Sequence, residues 1–107
     1  MTQIISLNQT NFADTLSRHD TVLVDVWAPW CAPCSAFAPI YEAAADKHPD
    51  VVFAKVNVDE APELIAEHQI RTIPTLKVFR AGDVAASRTG SMPAAQLDEV
   101  IAQATAV

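Results

Sequence analysis

Short runs of apolar residues alternate along the chain with segments of helical periodicity. The run over 21–27 is nearly unbroken and rich in β-branched and aromatic residues, which is typical of a strand covered on both faces. Further runs predict strands over residues 3–6, 51–56, 75–79 and 84–89. The residues Ala81, Gly82 and Asp83 between the last two runs indicate a hairpin turn.

Helical periodicity of apolar residues fills the gaps between these strands. Four helices are predicted, around Phe12 and Leu16, from Cys31 to about Lys47, around Leu64 and Ile65 with Asp59 as cap, and after Ser91 and Pro93. Pro39 predicts a kink in the second helix because it lacks an N–H and crowds the preceding turn. Strands separated by helices favour parallel pairing, and the closing hairpin adds antiparallel strands. We therefore predict one α/β domain over residues 1–107, a three-layer α/β/α sandwich with a central mixed sheet.

Composition and charge narrow the classes of function. Seven Lys and Arg against thirteen Asp and Glu give the 107 residues a net charge of −6, and no basic patch is present, so nucleic-acid binding is not expected. No apolar run approaches the roughly 20 residues that span a membrane. The N-terminus also lacks the charged and apolar regions of a secretory signal. We expect a cytoplasmic protein that binds neither nucleic acid nor membrane.

The two cysteines lie at the most informative position, where a predicted central strand ends and a helix begins. At this edge of an α/β sheet ligands usually bind, and the positive end of the helix favours a thiolate at Cys31. Cys34 follows three residues later on the same helical face, within disulfide reach. Cys31 is then the expected nucleophile and Cys34 the thiol that resolves a mixed disulfide. A zinc site would need two more N or S ligands, and neither another cysteine nor a pair of histidines supplies them, so we expect no metal.

From about Asn8 to Ala104 the chain resembles the thioredoxin family. The matching segments are 24–28, Trp30-Cys31-Ala32-Pro33-Cys34, 38–39, 56–59, 73–76, and the glycines Gly82 and Gly90. The resemblance implies the thioredoxin fold and a general protein-disulfide reductant that acts through a reversible Cys31–Cys34 disulfide, with no bound cofactor. It also implies an NADPH-dependent thioredoxin reductase as electron donor and disulfide-containing proteins as substrates. We expect the protein to be a monomer.

The resemblance also implies roles for residues around the cysteines. Asp25 matches a buried acid that exchanges protons with Cys34, and Lys55 matches a lysine near that acid. From the residues alone, without the resemblance, Asp25 would be interpreted as part of a salt bridge or as a cap, and Lys55 as an ordinary surface lysine. Ile73 and Pro74 match a cis-proline loop that faces the two thiols and pairs with an extended substrate.

Two further sets of residues follow from the same match. A docking surface of exposed apolar groups and accessible backbone is expected at Trp30, Val58, Ile73, Gly90 and Met92. Trp27 matches a tryptophan whose indole N–H bonds an acid at the position of Asp59, so this pair and Pro39 are expected to support the site structurally.

The chain departs from the family at three positions near the site. Ala32 replaces the common glycine between the cysteines, Ser35 a frequent lysine, and Thr72 a glycine; these changes bear on redox potential and partner choice. Three other functions remain open: a thiol oxidase or isomerase of the same fold, a noncatalytic binding module that uses the apolar surface around Trp30, and metal binding at the thiols.

Overall fold

The computed structural model describes residues 3–106. Its strands are β1 (Ile5–Leu7), β2 (Thr21–Trp27), β3 (Val52–Asn57), β4 (Thr75–Arg80) and β5 (Asp83–Thr89). Its helices are α1 (Phe12–Arg18), α2 (Ala32–Lys47), α3 (Pro62–Glu67) and α4 (Ala94–Thr105). The elements follow one another in the order predicted from the hydrophobic pattern.

The five strands form one mixed sheet in the order β1-β3-β2-β4-β5. β1 and β2 both pair parallel to β3, whereas β4 pairs antiparallel to β2 and to β5. The hairpin between β4 and β5 turns at Ala81 and Gly82, both with positive φ, 51° and 85°, a backbone that suits a tight two-residue turn. Because Thr21 pairs with Arg80, this turn lies at the opposite end of β2 from the cysteines.

Helices cover both faces of the sheet and produce two cores. One core lies under α2 and α4 and includes Leu23, Phe37, Tyr41, Phe53, Leu76 and Leu97. The other lies under α1 and α3 and includes Leu16, Val22, Val24, Val26 and Leu64. Side chains alternate along a strand, so Asp25 and Trp27 share the face of Leu23 and point toward α2. The predicted three-layer α/β/α sandwich is confirmed.

Two local predictions are corrected, and one stays a prediction. Among the described residues the first strand is Ile5–Leu7, later than predicted, because these residues pair with β3 beginning at Ala54. α3 begins at Pro62 after Ala61, so Asp59 does not cap it. α2 continues through Pro39 as one helix, where the proline cannot donate an N–H to the preceding turn, and the kink at this position stays a prediction.

Candidate redox site

The Cys31–Cys34 pair lies at the junction of β2 and α2. Cys31 is the N-cap of α2, and its Sγ accepts a hydrogen bond from the backbone N–H of Cys34 at 3.2 Å. The two residues form a disulfide with their Cα atoms 5.2 Å apart. Pro33 occupies the first helical turn, where its missing N–H would have no partner. Strand, turn and helix cap therefore hold both sulfur atoms at the positive end of the helix.

The two cysteines differ in their surroundings. Cys31 is 6% exposed and its Sγ lies 3.8 Å from the carbonyl oxygen of Ile73, whereas Cys34 is only 2% exposed. Val58 and Ile73, both partly buried, pack against the disulfide with the buried Ala28. Cys31 is thus the sulfur nearer the surface and the neighbouring loop, and Cys34 faces the interior.

The loop opposite the disulfide contains a cis peptide bond between Ile73 and Pro74, which confirms the prediction for this pair. Pro74 is buried, and its carbonyl accepts a hydrogen bond from the Gly90 N–H at 2.8 Å. Gly90 has φ of 86°, a conformation that glycine adopts without strain. The Thr75 hydroxyl donates to the carbonyl of Thr72. These bonds fix the loop beside Cys31.

Most of the predicted docking residues surround the disulfide, with one correction. Trp30 is 68% exposed, and Val58, Ile73 and Gly90 are partly exposed. Met92 is only 3% exposed and belongs to the core under α2 and α4. The expectation that Met92 presents an exposed apolar group is therefore wrong, because its side chain turns into the core just before α4 begins.

Asp25 is a carboxyl group inside the sheet, at 5% exposure. Burial raises its pKa from 3.8 to about 7, because the charged form loses hydration, and the nearby Lys55 ammonium partly opposes this shift. The two residues pair across β2 and β3. Within residues 3–106 their side chains make no ion pair within 4 Å, and Asp25 Oδ1 has no hydrogen-bond partner. Lys55 therefore acts on Asp25 through space.

A cavity of about 120 Å³ connects the acid with the inner cysteine, and we call it the acid pocket. Its lining includes Asp25, Trp27, Cys34, Tyr41 and Lys55, with Glu42 and Ser35 among the others. Tyr41 donates a 2.8 Å hydrogen bond to the carbonyl of Ala54. Burial, and secondarily the Asp25 carboxylate, hold the pKa of Tyr41 well above its usual value. Sequence reasoning placed Tyr41 only on the apolar face of its helix; its spacing of seven residues from Cys34 could have placed it in the pocket.

Trp30, and not Trp27 as predicted, forms the hydrogen bond to Asp59. The indole N–H of Trp30 donates to the two carboxylate oxygens of Asp59 at 3.0 and 3.3 Å, whereas the buried N–H of Trp27 has no partner among the described residues. The predicted Trp27–Asp59 pair is therefore wrong. Trp27 ends β2 on the face toward α2, with the Lys55 ammonium 5.4 Å from its ring centroid, while Asp59 lies beyond the end of β3.

The described residues offer neither a metal site nor a membrane-spanning helix. Residues 3–106 contain no group of three or more His, Cys, Asp or Glu side chains placed to hold a metal ion. None of the helices in this range combines the length and apolar character needed to cross a membrane. The redox-active group of the site is the disulfide itself.

Comparison with known proteins gives consistent matches. The thioredoxin family model matches residues 3–103. The chain is 42% identical to a putative thioredoxin 2 of Streptomyces coelicolor, over 97% of this chain and 78% of that one. It is 46% identical to a thioredoxin of Acidithiobacillus ferridurans, over 78% and 79%. The solved structure of a mutant thioredoxin from Halobacterium salinarum superposes with a TM-score of 0.91 at 31% identity, over 98% of this chain and 93% of that one.

Proposed function

The chain belongs to the thioredoxin family and is a protein-disulfide reductase that acts through its Cys31–Cys34 disulfide, and on this basis we propose a role for each residue of the site. Cys31 is the attacking nucleophile. The observation that supports this role is its position as N-cap of α2, where the Cys34 N–H points at its sulfur. An N–H donor and a helix N-terminus both stabilise a thiolate.

The reaction proceeds in two exchanges. The Cys31 thiolate attacks one sulfur of a substrate disulfide, the S–S bond breaks, and the other substrate sulfur leaves as a thiolate. The Cys34 thiol then loses its proton and attacks Cys31 in the mixed disulfide. This forms the Cys31–Cys34 bond and releases the second substrate thiolate. Two electrons pass from the protein to the substrate.

Asp25 accepts the proton that Cys34 loses. Its raised pKa of about 7 suits this role, because a general base works best when its pKa is near the working pH. The acid pocket, with room for water between Asp25 and Cys34, supplies the route. Lys55 is a positioning residue that keeps the carboxylate form of Asp25 accessible near neutral pH.

Substrate docks on the surface around Cys31. The partly exposed Ile73 precedes the cis proline, and its backbone pairs with an extended segment of the substrate. Trp30, Val58 and Gly90 contact the residues that flank the substrate cysteine. Exposed apolar groups beside accessible backbone are the usual features of a peptide-binding edge.

The electron donor is an NADPH-dependent thioredoxin reductase, and the protein works in the cytoplasm as a monomer.

Reduction is favoured over oxidation because Ala32 and Pro33 add no positive charge beside Cys31. A strongly oxidising dithiol needs a thiolate whose pKa is far below that of an ordinary thiol. Uncharged neighbours and a net charge of −6 do not favour so large a decrease. Equilibration of the couple with glutathione separates the two directions.

A coupled assay tests these roles. With NADPH and a bacterial thioredoxin reductase, we expect the protein to accelerate reduction of an accessible protein disulfide, and Cys31→Ser to abolish it. Cys34→Ser should accumulate mixed disulfides with the substrate, because the nucleophile remains and nothing resolves the adduct. Mass spectrometry of the trapped species reads out the difference. Normal turnover by the Cys34 variant would reverse the assignment, and sedimentation analysis of the same samples tests the monomer.

A further inference from the structure

The exposed Trp30 is held in place by the carboxylate of Asp59. The indole N–H is shared between the two oxygens of Asp59, and the backbone N–H of Asp59 donates to the Asn57 side chain at 3.0 Å. Trp30 is nevertheless 68% exposed. The tryptophan is thus oriented from below while its surface remains free to contact a substrate.

The charge of Asp59 has no close cation to neutralise it within the described region. In the part of the chain from residue 3 to 106, no Lys, Arg or His nitrogen lies within 4 Å of its carboxylate. A carboxylate can accept about four hydrogen bonds, and the indole donor is neutral. Ala32, Pro33 and Ser35, around the cysteines, carry no charge that could offset it.

An aromatic face beside an unpaired carboxylate is suited to a cation. A guanidinium or ammonium within about 6 Å of a tryptophan ring is attracted to the ring face, and here the same cation also gains the attraction of Asp59. We propose that Trp30 and Asp59 form a subsite for a basic side chain, so that the reductase prefers substrate disulfides flanked by Lys or Arg. This inference rests on the proposed docking of substrates around Cys31.

The subsite can read only residues close to the substrate cysteine. Trp30 directly precedes Cys31, and an extended peptide advances about 3.3 Å per residue. A basic side chain within two or three positions of the attacked cysteine reaches the ring, and a more distant one does not. An acidic side chain at the same position meets the Asp59 carboxylate and is repelled.

Peptides with one changed residue test the preference. Three peptides, each closed by one internal disulfide, differ only in having Lys, Gln or Glu beside the first cysteine, and kcat/KM for their reduction is measured at low and high salt. We expect the Lys peptide to exceed the Glu peptide by about tenfold at low salt, or about 1.4 kcal/mol, and by less at high salt. In Asp59→Asn the ratio should fall to about twofold, the part due to the overall charge.

Asp83→Asn is the matched control, because it changes the net charge equally. Asp83 is exposed and begins β5 beside Arg80, at the end of the sheet away from Cys31, so this variant should keep the tenfold ratio. Asp59→Glu retains the charge and should also keep most of the preference. Comparison of Asp59→Glu with Asp59→Asn also shows whether a lost preference comes from the lost charge or from a folding defect in Asp59→Asn.

The outcomes separate the inference from the proposed function. A preference that survives in Asp59→Asn, or that falls equally in Asp83→Asn, would overturn the subsite while leaving the reductase intact. Equal kcat/KM values for the three peptides with the wild-type protein would also overturn the subsite. If the reduced protein reduces none of the peptides, the proposed mechanism fails, and the inference fails with it.

Discussion

Two carboxylates beside the same disulfide behave in opposite ways. Asp25 lies in the acid pocket at 5% exposure, and its Oδ1 has no hydrogen-bond partner among the described residues. Its pKa is raised to about 7. Asp59 lies on the surface, accepts two contacts from Trp30, and has no cation within 4 Å among residues 3–106. One acid is buried in a small pocket and the other is exposed to solvent.

The difference follows from solvation and indicates a division of labour. Burying a carboxylate without a full set of partners destabilises the fold and brings its pKa toward neutrality, which suits proton exchange with Cys34. A hydrated carboxylate costs little stability, and its charge can interact with an approaching substrate. This suits the selection of a charged substrate. The interior acid therefore serves the chemistry, and the surface acid serves recognition.

Removing each carboxylate charge should give the largest contrast in stability. Between pH 3.8 and about 7 the folded protein holds a proton on Asp25 that the unfolded chain has released, so the free energy of unfolding falls as pH rises through this window. Asp25→Asn should abolish that slope and stabilise the protein at pH 8 by up to about 4 kcal/mol, from about 1.4 kcal/mol per pKa unit. Urea unfolding at several pH values measures it.

Asp59→Asn is the control for this experiment, and its midpoint should follow the wild type at every pH. Asp25→Asn should also slow reduction of a protein disulfide at neutral pH, since the proton acceptor for Cys34 is lost. A wild-type midpoint that stays flat from pH 4 to 8 would contradict a buried acid with a raised pKa.

A smaller contrast concerns one hydrogen bond in each region. Tyr41→Phe removes the 2.8 Å bond to the Ala54 carbonyl inside the core and should destabilise the protein by about 1–2 kcal/mol. Trp30→Phe removes the exposed bond to Asp59, where water replaces the lost donor, and should change stability by less than about 0.5 kcal/mol. Thermal unfolding of the two variants compares them directly. Equal losses would show that the pocket is as well hydrated as the surface.

The hydrophobic pattern was sufficient to predict the sheet, the helices and the position of the disulfide. The run over 21–27 has a single interpretation because its apolar residues are too few for a helix and too continuous for an exposed strand. Its one acid, Asp25, is for the same reason an evident candidate for a perturbed group. Lys55 could be placed beside it because both lie at the middle of neighbouring strands, and the register pairs them.

Side-chain direction beyond the ends of the strands could not be predicted in the same way. Trp27 and Trp30 are three residues apart, and only the turn between β2 and α2 decides which of them meets Asp59. Met92 lies in an irregular segment before α4, where no periodicity distinguishes a surface residue from a core residue. The family resemblance placed these residues near the disulfide, but the path of the backbone determines which groups their side chains contact.

The smallest expected effect concerns Lys55 of the acid pocket, compared with the exposed cation Arg71. Lys55 lowers the pKa of Asp25, so Lys55→Gln should raise that pKa further and extend the fall in stability to higher pH. Above this window the variant should be less stable than the wild type, because the ionised Asp25 has lost its attraction. Near pH 4 Asp25 is protonated in both proteins, and only the contact of Lys55 with the Trp27 ring is lost, about 0.5–1 kcal/mol.

Arg71→Gln is the matched surface change, since Arg71 is exposed and removing it lowers the net charge by the same unit. Its effect on unfolding should be small and independent of pH, because a hydrated charge interacts weakly with its neighbours. Urea midpoints from pH 4 to 9 distinguish the two variants. A Lys55→Gln defect of constant size across that range would mean that Lys55 stabilises only the Trp27 ring, and that burial alone determines the proton affinity of Asp25.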